Sequence, residues 1–179
     1  MTGTEEFSRR VAISDVPGRG LDLHIEASPE ERAALALRLG LLDLGHLSAR
    51  LRLKPVGNGG LFRLSGSVTA KVVQACVVTL QPVAAQVEEE FAVTFGPEDD
   101  EDDPSVELDL SFDQDDPPDA IVDGGVDVGA AVTEHLALAL DPFPRAAGAV
   151  FDPPPESPVP GEKPANPFAV LAGLRKNDG

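Results

Sequence analysis

Several residue types are scarce or missing in this chain of 179 residues, and each shortage narrows what the protein can be. One cysteine excludes an intramolecular disulfide framework and a zinc site built from several thiols, and it is typical of a reducing compartment. Trp and Tyr are absent and Phe occurs 8 times, so the core must consist mainly of Leu, Val and Ala. No apolar run reaches the length of a membrane span, and residues 1–10 lack the apolar region of a signal peptide. We therefore expect a soluble, cytoplasmic protein.

Positive charge is also scarce, because 14 Lys and Arg stand against 31 Asp and Glu, which gives a formal net charge of −17. Such a balance disfavours broad, nonspecific binding of nucleic acid. The excess is local, since residues 88–127 contain 17 acidic side chains and neither Lys nor Arg. Self-repulsion predicts a solvated acidic loop over residues 97–104, with six consecutive carboxylates: Glu98, Asp99, Asp100, Glu101, Asp102 and Asp103. This loop either solubilises the protein or docks a basic partner.

Residues 44–87 show the opposite composition, with five basic side chains and no acidic one. Apolar and polar residues alternate on both sides of the turn at residues 57–60, which predicts a β-hairpin. A four-residue turn there would place Leu53 opposite Leu64 and Lys54 opposite Arg63. One face of the hairpin is then apolar, and the other carries all the basic side chains: Arg50, Arg52, Lys54, Arg63 and Lys71.

Like charges directly opposite each other on such a face cost about 0.2–1 kcal/mol of stability, and a nearby anion would relieve that cost. Two sources of the anion remain open. The protein's own acidic segment could lie against the face, or the face could form a small patch that contacts phosphates.

The remaining elements follow from local signals. Ser28, Pro29 and Glu31 form a capping box that begins a helix ending near Gly40. Asp127 is expected to cap a second helix over residues 128–140. Alternation and turn residues predict further strands over residues 7–16, 72–80, 83–95 and 106–112, with a short edge at 119–123.

The fold class is therefore α+β: a curved or partly closed antiparallel β-sheet with two helices over residues 1–147. Proline-rich composition predicts a flexible tail over residues 148–179 that ends in an apolar and then basic peptide. That peptide either folds back onto the domain or is held out for a partner.

The sequence contains few candidates for catalytic or metal-binding residues. The histidines His24, His46 and His135 lack neighbours at the spacing of metal ligands, and residues 98–103 lack the pattern of a calcium loop. Cys76 lies in an apolar run without a basic neighbour, which favours a buried, inert thiol. No phosphate-binding glycine motif occurs. We expect no catalytic residue, metal, cofactor or small-molecule substrate, and hence a protein that is not an enzyme.

Residues 70–83, with Cys76, Thr79, Leu80 and Pro82, closely resemble the YceD-like family of large ribosomal RNA subunit accumulation proteins of bacteria and plastids. Residues 91–97 with the acidic run, 123–145 and 166–171 resemble later parts of that family, so the resemblance spans roughly residues 7–175. Many relatives have a Cys-x-x-Cys motif at residues 76–79, where this chain has Thr79 in place of the second cysteine. Those relatives also have a second cysteine pair further on, which is absent here. The cysteine ligands that a zinc site of those relatives would use are therefore missing from this chain.

The resemblance implies a role in the synthesis, processing or stability of 23S ribosomal RNA, without a catalytic mechanism. Together with the charge distribution it suggests that acidic residues 88–127 hold a basic large-subunit ribosomal protein or assembly factor. The alternative is direct contact with 23S ribosomal RNA through the basic hairpin face.

Overall fold

The computed structural model describes residues 6–57, 59–97 and 117–151. Seven strands and two helices are defined there. The strands are β1 (Arg10–Ala12), β2 (Leu21–Glu26), β3 (Asp43–Val56), β4 (Leu61–Ala75), β5 (Pro82–Gly96), β6 (Asp119–Ala120) and β7 (Gly125–Asp127), and the helices are α1 (Pro29–Leu39) and α2 (Val128–Ala139). The architecture is α+β, as predicted.

Helix α1 has the ends that the sequence predicts. The Ser28 hydroxyl accepts from the backbone N–H of Glu31, and the Glu31 carboxylate accepts from the backbone N–H of Ser28, so both halves of the capping box form. Gly40 ends the helix in the left-handed conformation at φ +67°, which a residue with a β-carbon adopts at a cost. Local sequence therefore fixes both boundaries of α1.

Strands β3 and β4 form a long hairpin, and its predicted register is confirmed. Leu53 lies opposite Leu64 and Lys54 opposite Arg63. Both leucines are fully buried, and burial of such a side chain contributes about 1.5–3 kcal/mol. The register holds as far as the pair of His46 and Lys71, beyond which a bulge shifts it by one residue.

The main sheet has five strands in the order β2, β3, β4, β5, β6. The first four form an antiparallel meander, and β6 adds a short parallel pairing beside Phe95 and Gly96. Among the described residues the two edge strands, β2 and β6, do not pair with each other, so the sheet is open. Strand β2 is absent from the sequence-based prediction, although Leu21, Leu23 and Ile25 alternate with polar residues there.

Two predicted strands are shorter in the structure. The strand expected over residues 72–80 ends at Ala75, because residues 76–80 turn back through a Cys76 N–H bond to the Gln81 carbonyl. The opening strand expected over residues 7–16 is confined to β1, and a single 3₁₀ turn follows at Ile13–Asp15. Strand β1 pairs with β7 in a separate two-stranded sheet.

Helix α2 begins where the sequence predicts, because Asp127 accepts hydrogen bonds from the backbone N–H groups of Gly129 and Ala130. The same carboxylate accepts from the backbone N–H of Arg9, at 2.8 Å. Arg9 in turn forms an ion pair with Glu31, with nitrogen–oxygen distances of 2.7 and 2.9 Å. The N-terminal segment therefore links the starts of both helices.

One hydrophobic core joins the apolar face of the sheet to both helices. Leu35 of α1 and Val132 and Leu136 of α2 are fully buried in the same cluster as the apolar residues of β3 and β4. Phe91 of β5 stacks on His135 of α2 with ring centroids 4.1 Å apart. The opposite face of β2 to β5 carries the polar side chains. Neither described helix is long and apolar enough to cross a membrane.

Three predicted features lie outside the described residues. These are the acidic loop at residues 98–103, the strand over 106–112 and the tail from residue 152 onward. The division of the chain at residue 147 stays a prediction.

Gly66 generates a prediction about stability, since β3 passes too close for any side chain. An added β-carbon there would lie 2.1 Å from the Arg50 carbonyl oxygen and 2.9 Å from the Leu51 α-carbon. Gly66→Ala should lower the free energy of unfolding by about 3 kcal/mol, as expected for overpacking. Urea denaturation measures it, with Gly18→Ala as the control because nothing lies within 4 Å of that position. Equal stability of the two variants would contradict the close approach.

Candidate functional site

The register of β3 and β4 places the five predicted basic residues on one face of the sheet. Arg52 lies opposite Ser65, Arg50 opposite Ser67, and Lys54 opposite Arg63. Lys71 stands eight residues from Arg63 along β4, or about 26 Å at the usual rise of a strand. The structure thus brings four of the residues together near the turn and leaves Lys71 at the other end, beside His46.

Arg52 differs from the other four because it has an anionic partner. Its Nη1 atom donates to both carboxylate oxygens of Asp22, at 2.9 and 3.0 Å, and Nη2 donates to the Arg19 carbonyl at 2.8 Å. Within the described ranges, no carboxylate lies within salt-bridge distance of Arg50, Lys54, Arg63 or Lys71. Of the five cations on this face, only Arg52 therefore forms an ion pair with a described residue.

A groove runs along β4 because its polar side chains are small. We call the groove formed by Asp22, His24, Arg50, Arg52, Ser65 and Ser67 the polar groove. A cavity of about 710 Å³ lies at its Asp22 end, and an adjoining cavity of about 260 Å³ extends towards Thr69. Arg50 and His24 line both cavities. These two residues are at the centre of the groove.

Two residues of the polar groove, Asp22 and His24, were not among the predicted site residues, because they belong to β2, which was not predicted. Their signal is the alternation of Leu21, Leu23 and Ile25 with polar residues, which is a half-buried strand of six residues. Pairing of β2 with β3 places Asp22 opposite Arg52 and His24 opposite Arg50. On β3, on the side of Arg50 away from the turn, the side chains of His46 and Ser48 form a hydrogen bond, with Nε2 and Oγ 3.0 Å apart.

Acidic side chains border the same face on β5. Glu90 lies opposite Ser67 and Glu88 opposite Thr69, so both carboxylates lie across β4 from the basic residues of β3. Glu88, Glu89 and Glu90 are all exposed. The candidate partner-binding residues Glu98 to Asp103 lie outside the described residues, and their role stays a prediction.

Cys76 has a different environment from the one the sequence indicated. Its side chain is fully buried, as expected, but it follows the end of β4 rather than lying in a strand. The backbone N–H groups of Val78 and Thr79 point at its sulfur, each at 3.4 Å. The backbone N–H of Ala146 and the Thr79 hydroxyl also donate to it, and together these donors outweigh desolvation and lower the pKa of the thiol to about 6. Hydrogen-bond donors, and not a basic neighbour, thus favour the thiolate, which the expectation of a buried, inert thiol did not include.

The rest of the motif forms the turn around this sulfur. Leu80 donates its backbone N–H to the Cys76 carbonyl and adopts φ +61°, an uncommon conformation for a bulky residue. Its side chain is 77% exposed. Pro82 begins β5 opposite Ala75, and Val77 donates its N–H to the Pro144 carbonyl at 2.9 Å. The turn is therefore tied to the segment that follows α2.

No group of three or more His, Cys, Asp or Glu side chains within residues 6–57, 59–97 and 117–151 is arranged to hold a metal ion.

Comparison with known families identifies the part of the chain that contains this turn. Residues 64–175 match the YceD family, described as large ribosomal RNA subunit accumulation protein YceD. The chain belongs to the YceD family. That description indicates a role in the accumulation of large-subunit ribosomal RNA and names no catalytic activity. No curated protein and no solved structure matches the chain.

Only some of the candidate site residues of this YceD-family protein lie within the range that matches the family. The Cys76 turn and Lys71 lie inside it, whereas Arg50, Arg52, Lys54 and Arg63 precede it. The match begins later than the residue 7 at which the resemblance was expected to begin. The family description therefore bears on the turn more directly than on the polar groove.

The lowered pKa of Cys76 makes stability depend on pH in a definite direction. An acid whose pKa falls on folding adds stability that is complete above its unfolded pKa and lost as pH falls through the folded value. The free energy of unfolding should therefore rise between pH 6 and pH 9 by more in the wild type than in Cys76→Ala. Urea denaturation across that range measures the difference.

Thr79→Val provides the matched control, because it keeps the shape of the side chain and removes one donor to the sulfur. Thiolate absorbance should titrate near pH 6 in the wild type and at a higher pH in this variant. A wild-type midpoint at the ordinary thiol value, about 8.5, would contradict the hydrogen-bonded geometry.

Proposed function

We propose that this YceD-family protein supports the synthesis, processing or stability of 23S ribosomal RNA as a non-enzymatic factor acting in the cytoplasm. In this proposal its acidic segment, residues 88–127, binds a basic large-subunit ribosomal protein or assembly factor and shields it until delivery. The observation that supports it is the concentration of 17 acidic residues and no basic one in this segment.

The described ends of the segment agree with this role. Glu88, Glu89 and Glu90 on β5 and Asp119 and Asp123 near β6 are exposed. None of the five forms a salt bridge with another described residue. Carboxylates without an ion pair among the described residues remain available to an external cation, and each such pair that stays at the surface contributes little alone, so the number of charges matters.

Complementary charge would determine mainly how fast the partner is found. A strongly acidic segment attracts a basic protein over roughly a Debye length, which is about 8 Å at physiological ionic strength. Such steering raises the association rate and makes the complex sensitive to salt. A factor with this behaviour would release its cargo when ribosomal RNA offers a denser array of negative charge.

An affinity purification from growing cells, followed by mass spectrometry, tests this function. At low salt the wild-type protein should retain a basic large-subunit ribosomal protein or assembly factor, and high salt should release it. Conversion of Glu98 to Asp103 to Asn and Gln should reduce recovery at least several-fold, because the densest block of charge is lost.

The control removes charge from exposed sites outside the segment, with Asp15→Asn, Asp43→Asn and Glu134→Gln combined. This variant should retain the partner as the wild type does. Failure to recover any basic ribosomal protein or assembly factor at low salt would refute the proposed function.

A second function is supported by a separate observation, the cations on the polar face that form no ion pair with a described residue. Arg50, Lys54 and Arg63 lie close together on rigid strands without an anionic partner among the described residues. Direct contact with 23S ribosomal RNA would supply the missing anions. Few contacts would be made, so this binding would be weak and its salt dependence shallow.

A gel shift with fragments of 23S ribosomal RNA tests this second function. Reversal of charge at Arg50, Lys54 and Arg63 to Glu should abolish the shifted band at low salt. Reversal at Arg32, Arg38 and Arg145, which lie outside the polar face, makes the same change in net charge and serves as the control. Equal binding by the two variants would rule out the basic face as the RNA contact.

A further inference from the structure

The polar groove combines features that suit one chemical group, the phosphodiester. We propose that the polar groove binds the sugar–phosphate backbone of RNA, with Arg50 as the central phosphate ligand, and that Asp22 limits the affinity by occupying Arg52. This inference rests on the second function above, direct contact with ribosomal RNA, and it assigns that contact to particular side chains.

Arg50 is placed to bind a phosphate. It lies between His24 of β2 and Ser67 of β4, and it lines both cavities of the groove. Its guanidinium is exposed and has no salt bridge among the described residues. Arg binds phosphate through two parallel hydrogen bonds, a geometry that a point charge such as Lys does not provide.

The floor of the groove allows close approach. Ser65, Ser67 and Thr69 share the polar face of β4, and all three are half-buried with short side chains. Their hydroxyl groups donate and accept hydrogen bonds, so they can serve phosphate oxygens and ribose 2′-hydroxyls alike. A rigid strand presents them at a regular spacing of about 6.6–6.8 Å for residues on one face.

Arg52 is held back by its own neighbour. Both oxygens of the Asp22 carboxylate accept from its Nη1 atom, and both side chains of this pair are largely exposed. A phosphate that approached Arg52 would have to compete with this carboxylate and would be repelled by it. Asp22 therefore keeps Arg52 from binding phosphate, although Arg52 still lies in the groove.

The acidic residues of β5 give the groove a direction. Glu88 and Glu90 lie across β4 from the arginines, so a phosphate backbone is repelled from that side and confined to the side of β3. The three phenylalanines of these strands, Phe62, Phe91 and Phe95, pack on the apolar face. Within the described part of the chain the polar face thus offers no Phe, Tyr or Trp for base stacking and only the imidazoles of His24 and His46, which favours contact with the backbone over bases.

Fluorescence anisotropy with a labelled helical fragment of 23S ribosomal RNA tests the proposal across a series of salt concentrations. The full-length variants are Arg50→Gln, Asp22→Asn and the control Arg38→Gln on α1. Removal of one phosphate contact should reduce the salt slope by about one, so Arg50→Gln should bind several-fold more weakly with a shallower slope. Asp22→Asn should bind more tightly with a steeper slope, since Arg52 becomes available. Arg38→Gln should behave as the wild type.

Glu30→Gln is the control for Asp22→Asn, because it also removes one exposed negative charge but does so on α1, away from the groove. Comparison of the two variants distinguishes an effect of the groove from a general effect of net charge. Tighter binding by Asp22→Asn alone supports the proposal. Equal effects of the two substitutions, or an unchanged slope in Arg50→Gln, would overturn it. Circular dichroism of each variant verifies that it is folded.

Failure of RNA contact and failure of the groove assignment give different results. If the wild type binds no RNA at low salt, direct RNA contact fails and the groove assignment fails with it. If the wild type binds RNA, and Lys71→Gln weakens that binding while Arg50→Gln and Asp22→Asn do not change it, only the groove assignment is wrong. In that case the RNA contact lies at the far end of β4.

Discussion

The register between β3 and β4 is the constraint on which the other features of this protein depend. Side chains alternate across a strand, so a slip of one residue would move Leu53 and Leu64 from the core to solvent and the arginines into the core. Burial of the leucines therefore fixes the position of every charge on the opposite face. Gly66 adds a second condition, because β3 passes so close to it that no side chain fits.

This pairing concentrates cations in a protein whose charge is otherwise negative. Lys54 and Arg63 face each other at a cost in stability, yet the described carboxylates nearest in the sheet neutralise only Arg52. Of the acidic segment, Glu88 and Glu90 lie on β5, across β4 from Arg50. Among the described residues, the two signs of charge thus lie on opposite sides of β4 on one face of the sheet.

The Cys76 turn shows how backbone groups alone can change the chemistry of a side chain. No Lys or Arg is needed to favour the thiolate, because N–H groups of Val78, Thr79 and Ala146 and the Thr79 hydroxyl converge on one sulfur. Thr79 contributes to this set twice, through its backbone N–H and its hydroxyl. The match to the YceD family covers this turn, which links the β4–β5 connection to the residues after α2.

Sequence alone was sufficient for features that depend on neighbours along the chain. The capping box of α1, the Asp127 cap of α2, the hairpin register and the separation of charge are all readable from short spacings, because helix and strand periods are local properties. Strand β2 was readable in the same way from the alternation of Leu21, Leu23 and Ile25 with polar residues, although the sequence analysis missed it. Tertiary structure decided the rest. The pairing of Asp22 with Arg52, the contact of Arg9 with Asp127 and the hydrogen bond from Ala146 to Cys76 join residues that are distant in sequence, so they exist only once the sheet and helices have packed.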